Sequence, residues 1–458
     1  MGEGRFEQHL KQVVANISYE YQDGRMSGIN LLRLVLEKLP QELLQRNAQH
    51  LFLPLILQLV NDDSKDCRAK VSDCIVLLLK RSSTELLQTF QDYCSRWSTQ
   101  TGPLRLASLQ VYGLLVDSRA EFIKSSCLDL HWIRHLEQTL HEREELDWET
   151  KYFSLVCIEK MIKDFKPVLI QQSKLMTSVA ECLTDPHPWV KMSSSRVFNN
   201  FLTSNSAVEL LSQKNGMLFE IVRNTLFQFK VPEEEQSQDL CDLGVKTIAL
   251  ALPLMAEYPQ LCYADDDLAE EDSISNNGRD PVFWMLRRLS EISKAKGSKR
   301  RMTVFKCYAA FAASNFQIVA PHLELMLEGL HRSSIEAKNE IENQAFSSRR
   351  TNSYFGFYDG RNKEPDTEHS FAEEVLRLLE EKCTSSSDFL TAYAEVKRRA
   401  YSKKTKRKNE LKIEAAQNPQ VAAERRMKKQ ERNKHRKKRR SAEQAFERRG
   451  GEKKYRHS

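Results

Sequence analysis

The sequence predicts an all-α protein, a HEAT-like α-solenoid of stacked antiparallel helix pairs with a basic, partly helical or disordered C-terminal tail. Three observations carry that prediction. Glycine and proline are scarce, 15 and 13 in 458 residues, too few for the many turns of an all-β chain. Apolar residues recur at spacings of three and four in paired runs, the period of a helix with one buried face. One polar turn, headed by aspartate, recurs farther down the chain.

The pair at 50–81 is the clearest. Leu51, Leu53, Leu55, Ile56, Leu59 and Val60 form one apolar helix with Pro54 in its first turns, and Asn61-Asp62-Asp63-Ser64 is a tight turn. Cys67, Val71, Cys74, Ile75, Leu78 and Leu79 line one face of a second helix, whose free N–H groups Asp62 or Ser64 can cap. The unit resembles a HEAT repeat: Pro54 in the first helix, Asp62 in the turn, and the apolar-then-basic step Cys67-Arg68 early in the second. Asp185-Pro186-His187-Pro188-Trp189-Val190-Lys191 repeats the turn, setting Val190 on Cys67 and Lys191 on Arg68. The apolar residue is expected to fill the space between helices and the basic one to sit on the rim. The two aspartates lie 123 positions apart, three repeats of about 41. Intermediate turns therefore belong near 103 and 144. Thr101-Gly102-Pro103 precedes one apolar helix there (Leu104, Leu106, Leu109, Tyr112, Leu115). Glu144-Glu145-Leu146-Asp147 precedes another (Trp148, Tyr152, Leu155, Val156, Met161, Ile162).

Further helices are expected over Ala207–Phe229 and Asp239–Tyr258, joined by the acidic turn Pro232–Gln238. Asp280-Pro281 places an N-cap before a proline at the first helical position, opening a helix that Gly297 ends. Met302–Phe316 follows, and Ile318–Leu323 repeats the proline-in-first-turn pattern around Pro321, with Leu325, Met326, Leu327 and Leu330 continuing the face. The organisation read from this is a helical body over 1–332 with an acidic loop at 264–279, a mobile polar linker at 333–368, terminal helices at 369–399 (Phe371–Cys383 and Asp388–Arg399) and a basic tail at 400–458. Each pair is too thin to bury its own apolar face, so neighbours must stack. Such arrays present long surfaces for other macromolecules.

Charge is distributed unevenly. From Lys397 to Ser458 there are 25 Lys or Arg against 7 Asp or Glu, while the whole chain is only +7. Residues 1–396 therefore carry a net of about −11. A segment so charged and so poor in apolar residues cannot build a core, and its natural partners are polyanions, nucleic-acid phosphates above all. The candidate phosphate-binding or nuclear-import residues are Lys397, Arg398, Arg399, Lys403, Lys404, Lys406, Arg407, Lys408, Arg425, Arg426, Lys428, Lys429, Arg436, Lys437, Lys438, Arg439 and Arg440. Only Tyr401, Phe446 and Tyr455 are aromatic there. The tail is therefore expected to read phosphates rather than bases, with an importin as a further partner of the basic clusters. The acidic body is expected to make mainly protein contacts.

No catalytic constellation emerges, and the chain is read as no enzyme, with no cofactor, metal or small-molecule substrate. Neither GxGxxG nor a Walker lysine is present. His131 and His135 stand at i and i+4 but lack the glutamate of HExxH and a third ligand, so a solvated or core-edge helix is preferred to zinc. The acidic run Asp265–Asp272 lacks the alternation and central glycine of a calcium loop. Ser82-Ser83 and Ser193-Ser194-Ser195 are in no nucleophile elbow. The ten cysteines form no CxxC pair and read as reduced, buried thiols of an intracellular protein. Trp97, Trp132, Trp148, Trp189 and Trp284 read as core. The N-terminal residues lack a signal peptide's apolar stretch, and no apolar run reaches bilayer length, so no membrane partner is expected.

A HEAT-type body followed by a Lys/Arg-rich end containing Ala415-Ala416-Gln417-Asn418-Pro419 and Ala422-Ala423 resembles the C-terminal portion of the U3 small nucleolar RNA-associated protein 20 (small-subunit processome component 20) family. The Leu51–Arg81 repeat, with its Asn61–Ser64 turn, is similar too. On this resemblance the chain is a C-terminal piece or a shortened gene product. The resemblance implies a nucleolar, non-enzymatic scaffold in 18S ribosomal RNA maturation, with pre-ribosomal RNA and processome proteins as partners. It carries no catalytic residues over. The alternative from the residues alone is a HEAT adaptor in transport or signalling, its basic tail serving nuclear import or acidic membrane surfaces.

Overall fold

Helices form where the apolar spacing calls for them, and no strand occurs among the described residues. The structure is a computed structural model that describes residues 3–125, 128–141, 147–170, 173–204, 206–230, 237–263, 280–295, 298–335, 367–383, 386–420, 423–428 and 430–435. The chain divides into two units, Met1–Thr384 and Ser385–Ser458.

In the first unit the helices come in pairs: α1 (Glu3–Asn16) with α2 (Gln22–Lys38), α3 (Gln41–Asn61) with α4 (Lys65–Arg81), α5 (Thr84–Ser98) with α6 (Pro103–Ser125), α7 (Leu128–His141) with α8 (Trp148–Ile170), and α9 (Ser173–Glu181) with α10 (Pro188–Leu202). After a short α11 (Ala207–Leu211), α12 (Met217–Gln228) pairs with α13 (Gln238–Glu257) and α14 (Pro281–Ser293) with α15 (Ser298–Ser314). A short α16 (Phe316–Val319), α17 (323–335) and α18 (Thr367–Lys382) complete the unit. The second members form one continuous layer, α2 on α4, then α6, α8, α10, α13, α15 and α18 in turn. First members pack likewise, α3 on α5, α7 on α9, α9 on α12 and α12 on α14. This is an all-α HEAT-like solenoid. Its core lies between the layers, where Tyr112 stacks on Trp132 at 3.4 Å between ring centroids and Phe52 on Phe90 at 4.0 Å, each ring almost wholly buried.

The turn between α3 and α4 shows how a repeat closes. Ser64 is the cap, its hydroxyl accepting from the Cys67 N–H at 3.3 Å. Asp62 organises the turn instead, accepting from the Ser64 N–H at 2.8 Å. It also receives both arms of Arg25, on α2 of the preceding repeat, at 3.0 Å each. Asp185 repeats the device: it accepts from the His187 N–H at 2.8 Å and pairs with Lys151 of α8 at 2.8 Å. Cys67 and Val190 are buried as expected, with Arg68 and Lys191 at the rim. Polar side chains also reach main-chain carbonyls of neighbouring repeats. Asn224 donates to Ala180 O at 3.0 Å, Gln228 to Leu183 O at 2.6 Å and Asn199 to Leu243 O at 3.2 Å, across 44 or 45 positions.

Several expectations are corrected. Pro54 is not in the first turns of its helix; α3 starts ten residues before Leu51, because Leu44 and Ala48 already present a buried stripe. The single helix expected over Ala207–Phe229 is two, separated at Gly216, whose φ of 73° is left-handed and suits glycine. The helix opened by Asp280 ends at Ser293, before Gly297. Its cap is as expected, Asp280 accepting from the Val282 N–H at 2.9 Å. The ends of the stretch read as a mobile linker are buried: Ser333 donates to Glu368 at 3.1 Å, and Arg301 of α15 meets the same carboxylate at 3.3 Å. Residues 336–366, the acidic loop at 264–279, the Pro232–Gln238 turn up to 236, and Glu144–Leu146 lie outside the described residues. In the second unit the helix expected to stop at Arg399 continues: α19 runs Ser386–Gln417.

Candidate nucleic-acid interface

α19 is long because nothing in it breaks a helix. From Ser386 to Gln417 there is no glycine or proline, and Ala, Glu, Lys, Arg and Gln supply propensity. Asn418-Pro419 ends it, the last backbone bond running from the Asn418 N–H to Glu414 O at 2.9 Å.

The predicted tail cations divide into two groups along this helix. Those nearest its start are engaged. Arg398 donates twice to Glu395, at 2.8 and 2.9 Å, and Arg399 once at 3.0 Å. These bonds, Arg398's foremost, hold the Glu395 carboxyl below the usual carboxylate range. The Lys397 ammonium sits 4.1 Å from the centre of the Tyr393 ring, a cation–π contact. Lys403, Lys404, Lys406, Arg407 and Lys408 differ: all are exposed and make no ion pair among the described residues. With about 100° and 1.5 Å per residue, they cover some 200° of the helix circumference within about 8 Å of its length. That is one positive charge per roughly 1.5 Å, close to the one phosphate per about 1.7 Å of a DNA duplex axis. The five cations thus form one broad basic face and leave about 160° of the circumference without them.

Beyond the Asn418-Pro419 break, Arg425 pairs with Glu414 at 2.6 Å, while Arg426 and Lys428 are exposed on the helix at 423–428. Lys429, Arg436, Lys437, Lys438, Arg439 and Arg440 lie outside the described residues. The structure thus brings Lys403–Lys408 together on one helix.

Among the described residues no three His, Cys, Asp or Glu side chains converge as a metal site, and no helix is long and apolar enough to cross a membrane. His135 lies against Trp132 edge-on, 5.8 Å between rings. None of the nine described cysteines is in a disulfide, and all but Cys383 are buried. Burial pushes the thiols of Cys74, Cys94, Cys157 and Cys262 up to about 12, far from a reactive thiolate.

One feature of the body was missed. Trp132 is core, but Trp189 is 54% exposed and Trp148 38%, and Trp97 and Trp284 are only half-buried. The signal was positional. Trp148 directly follows Asp147, which caps α8 by accepting from the Thr150 N–H at 2.6 Å. Trp189 follows Pro188, the first residue of α10. Residues of a first helical turn lie at the edge of the array, where apolar character does not ensure burial.

Comparison with known proteins adds a relationship to this geometry. No family model matches the chain. It is 23% identical to the U3 small nucleolar RNA-associated protein 20 of Saccharomyces cerevisiae, over 98% of this chain and 18% of that protein. The chain is similar to U3 small nucleolar RNA-associated protein 20. The Schizosaccharomyces pombe protein of that name matches at 23% over 92% of this chain and 16% of its own length. The resemblance drawn from the repeat and the tail is therefore supported along nearly the whole chain, which spans less than a fifth of these curated relatives. Among solved structures, a Kap121p mutant aligns over 82% of this chain and 33% of its own, with a TM-score of 0.51 and 12% identity; that likeness concerns the fold alone.

Proposed function

We propose that the chain is a non-enzymatic scaffold segment of the small-subunit processome in ribosome biogenesis, acting in the nucleolus in 18S ribosomal RNA maturation. In this reading the helical body docks processome proteins, an importin carries the chain to the nucleus, and the tail grips pre-ribosomal RNA through its phosphates. The observation that carries the RNA contact is the unpaired cation run Lys403–Lys408 on α19. Similarity to U3 small nucleolar RNA-associated protein 20 across 98% of the chain supplies the setting.

Affinity of the full chain for single-stranded RNA tests this. Five phosphate contacts give a log–log salt slope of about −3.5, so affinity falls roughly a hundredfold between about 50 and 200 mM salt. Truncation after Val396 removes both the affinity and nucleolar accumulation. Salt-independent binding, unchanged binding after truncation, or a preference for acidic liposomes over RNA overturns the reading.

A further inference from the structure

At the edge where first helices turn into second ones, α8 and α10 gather Trp148, Tyr152, His187 and Trp189. Trp148 lies flat on His187, 4.0 Å between ring centroids and 12° apart. Trp189 meets Trp148 at 5.9 Å and 80°, and Tyr152 at 5.7 Å and 57°. Two indoles at nearly a right angle form a corner, and Trp189 keeps more than half its surface open. Exposed tryptophan clusters of this kind mark contact surfaces.

Charge selects the occupant. Asp147 and Glu149 flank Trp148 and make no ion pair among the described residues. Lys151, the nearest cation on α8, is spent on Asp185 at 2.8 Å. Among the described residues beside the cluster, Lys191 is the one cation that makes no ion pair, and residues 1–396 carry about −11 overall. A phosphate backbone would meet net repulsion here. A guanidinium gains instead: it stacks on an indole face by cation–π attraction and meets the charge of two neighbouring carboxylates, Glu149 and the helix-capping Asp147.

We propose that the Trp148–Trp189 corner is a docking site for an extended arginine-rich protein segment, held by guanidinium stacking on the indoles. It is separate from the tail and independent of the RNA reading.

A fluorescently labelled peptide of alternating arginine and glycine, titrated onto the full chain, tests it by anisotropy. Trp189→Ala weakens binding by roughly tenfold and Glu149→Gln by less, both with unchanged thermal melting because the two side chains lie at the surface. Replacing the peptide's arginines by lysines weakens binding at least as much as Trp189→Ala does. Equal peptide affinity in wild type and Trp189→Ala overturns the proposal. So does a Trp189→Ala chain that loses affinity for a short oligouridylate but not for the peptide, which would make the corner a base-stacking surface.

Discussion

α4 and α19 both carry clustered cations, α4 in its last turn and α19 along its middle, and the two helices use them in opposite ways. In α4, six apolar or thiol side chains are buried, and Arg81 in the last turn folds back to donate to the carbonyls of Leu36, Glu37 and Leu39, the last at 2.6 Å. Arg119 on α6 likewise reaches Lys80 O at 3.1 Å and Ser82 O at 3.3 Å. These arginines close the open ends of neighbouring helices, whose last carbonyls have no intrahelical partner. In α19 the cations of Lys403–Lys408 have no such task and remain exposed. The number of cations in a segment therefore says little about binding until one knows which are already occupied.

The sharpest way to break this comparison is to neutralise both sets. Substituting Lys403, Lys404, Lys406, Arg407 and Lys408 by glutamine should lower RNA affinity by three to four orders of magnitude at about 0.1 M salt, roughly 0.7 log units per lost phosphate contact, and leave the melting of the body unchanged. Arg81→Gln should do the reverse, costing about 1–3 kcal/mol of stability by stranding carbonyls while RNA affinity holds. Nitrocellulose retention and chemical denaturation on the same two variants separate the roles; equal RNA affinity in the five-site variant defeats the distinction.

A second, smaller effect sits where a cation is both buried and paired. The Asp62 side chain is fully buried and that of Arg25 is 11% exposed. Burial alone would raise the Asp62 carboxyl, but the Ser64 N–H, Gln58 and Arg25 hydrogen bonds outweigh it and hold it below the ordinary range. Asp62→Ala removes the buried partner of Arg25, leaving it the exposed Asp63, and should cost about 3 kcal/mol. The sign with pH follows: a depressed carboxyl contributes stability that is fully present above its unfolded value, about 3.9, and is lost as pH falls through the lower folded value. Wild type should lose that stability on acidification and Asp62→Asn should not. Parallel acid unfolding curves for the two would remove Asp62 from the account.

Much of this was legible in the sequence. Pro54, Asp62 and Cys67-Arg68 announced the repeat, and Asp185 its recurrence, because the turn's chemistry is local. What failed was non-local. The 41-residue mean from Asp62 to Asp185 did not foretell the 44- and 45-position bonds of Asn224, Asn199 and Gln228, since those depend on which residues face one another across repeats. The basic residues after Arg399 read as tail, although the next proline stands only at 419 and α19 runs on to Gln417. Trp148 and Trp189 read as core from their apolar helical surroundings, while their first-turn positions put them at the rim. Of the tail's candidate residues, the sequence could name the cations but not separate Arg398 and Arg399, committed to Glu395, from the free run that follows.

The smallest expected effect isolates backbone from packing in a predicted turn. Gly102 precedes α6 with φ of 65°, and a Cβ built there would meet nothing within 4 Å. Gly102→Ala therefore adds no clash, only the left-handed strain of an L-residue, about 1–2 kcal/mol. Gly102→Asn should recover much of that, since asparagine enters this region more readily. Gly28 is the contrasting case: its added Cβ would lie 2.8 Å from Asn16 main-chain atoms, so alanine there must push α1 off α2. If Gly102→Ala and Gly102→Asn denature at the same midpoint, backbone strain is not what selects glycine at this turn. A Gly28→Ala loss no greater than that at Gly102 would mean that α1 yields without cost.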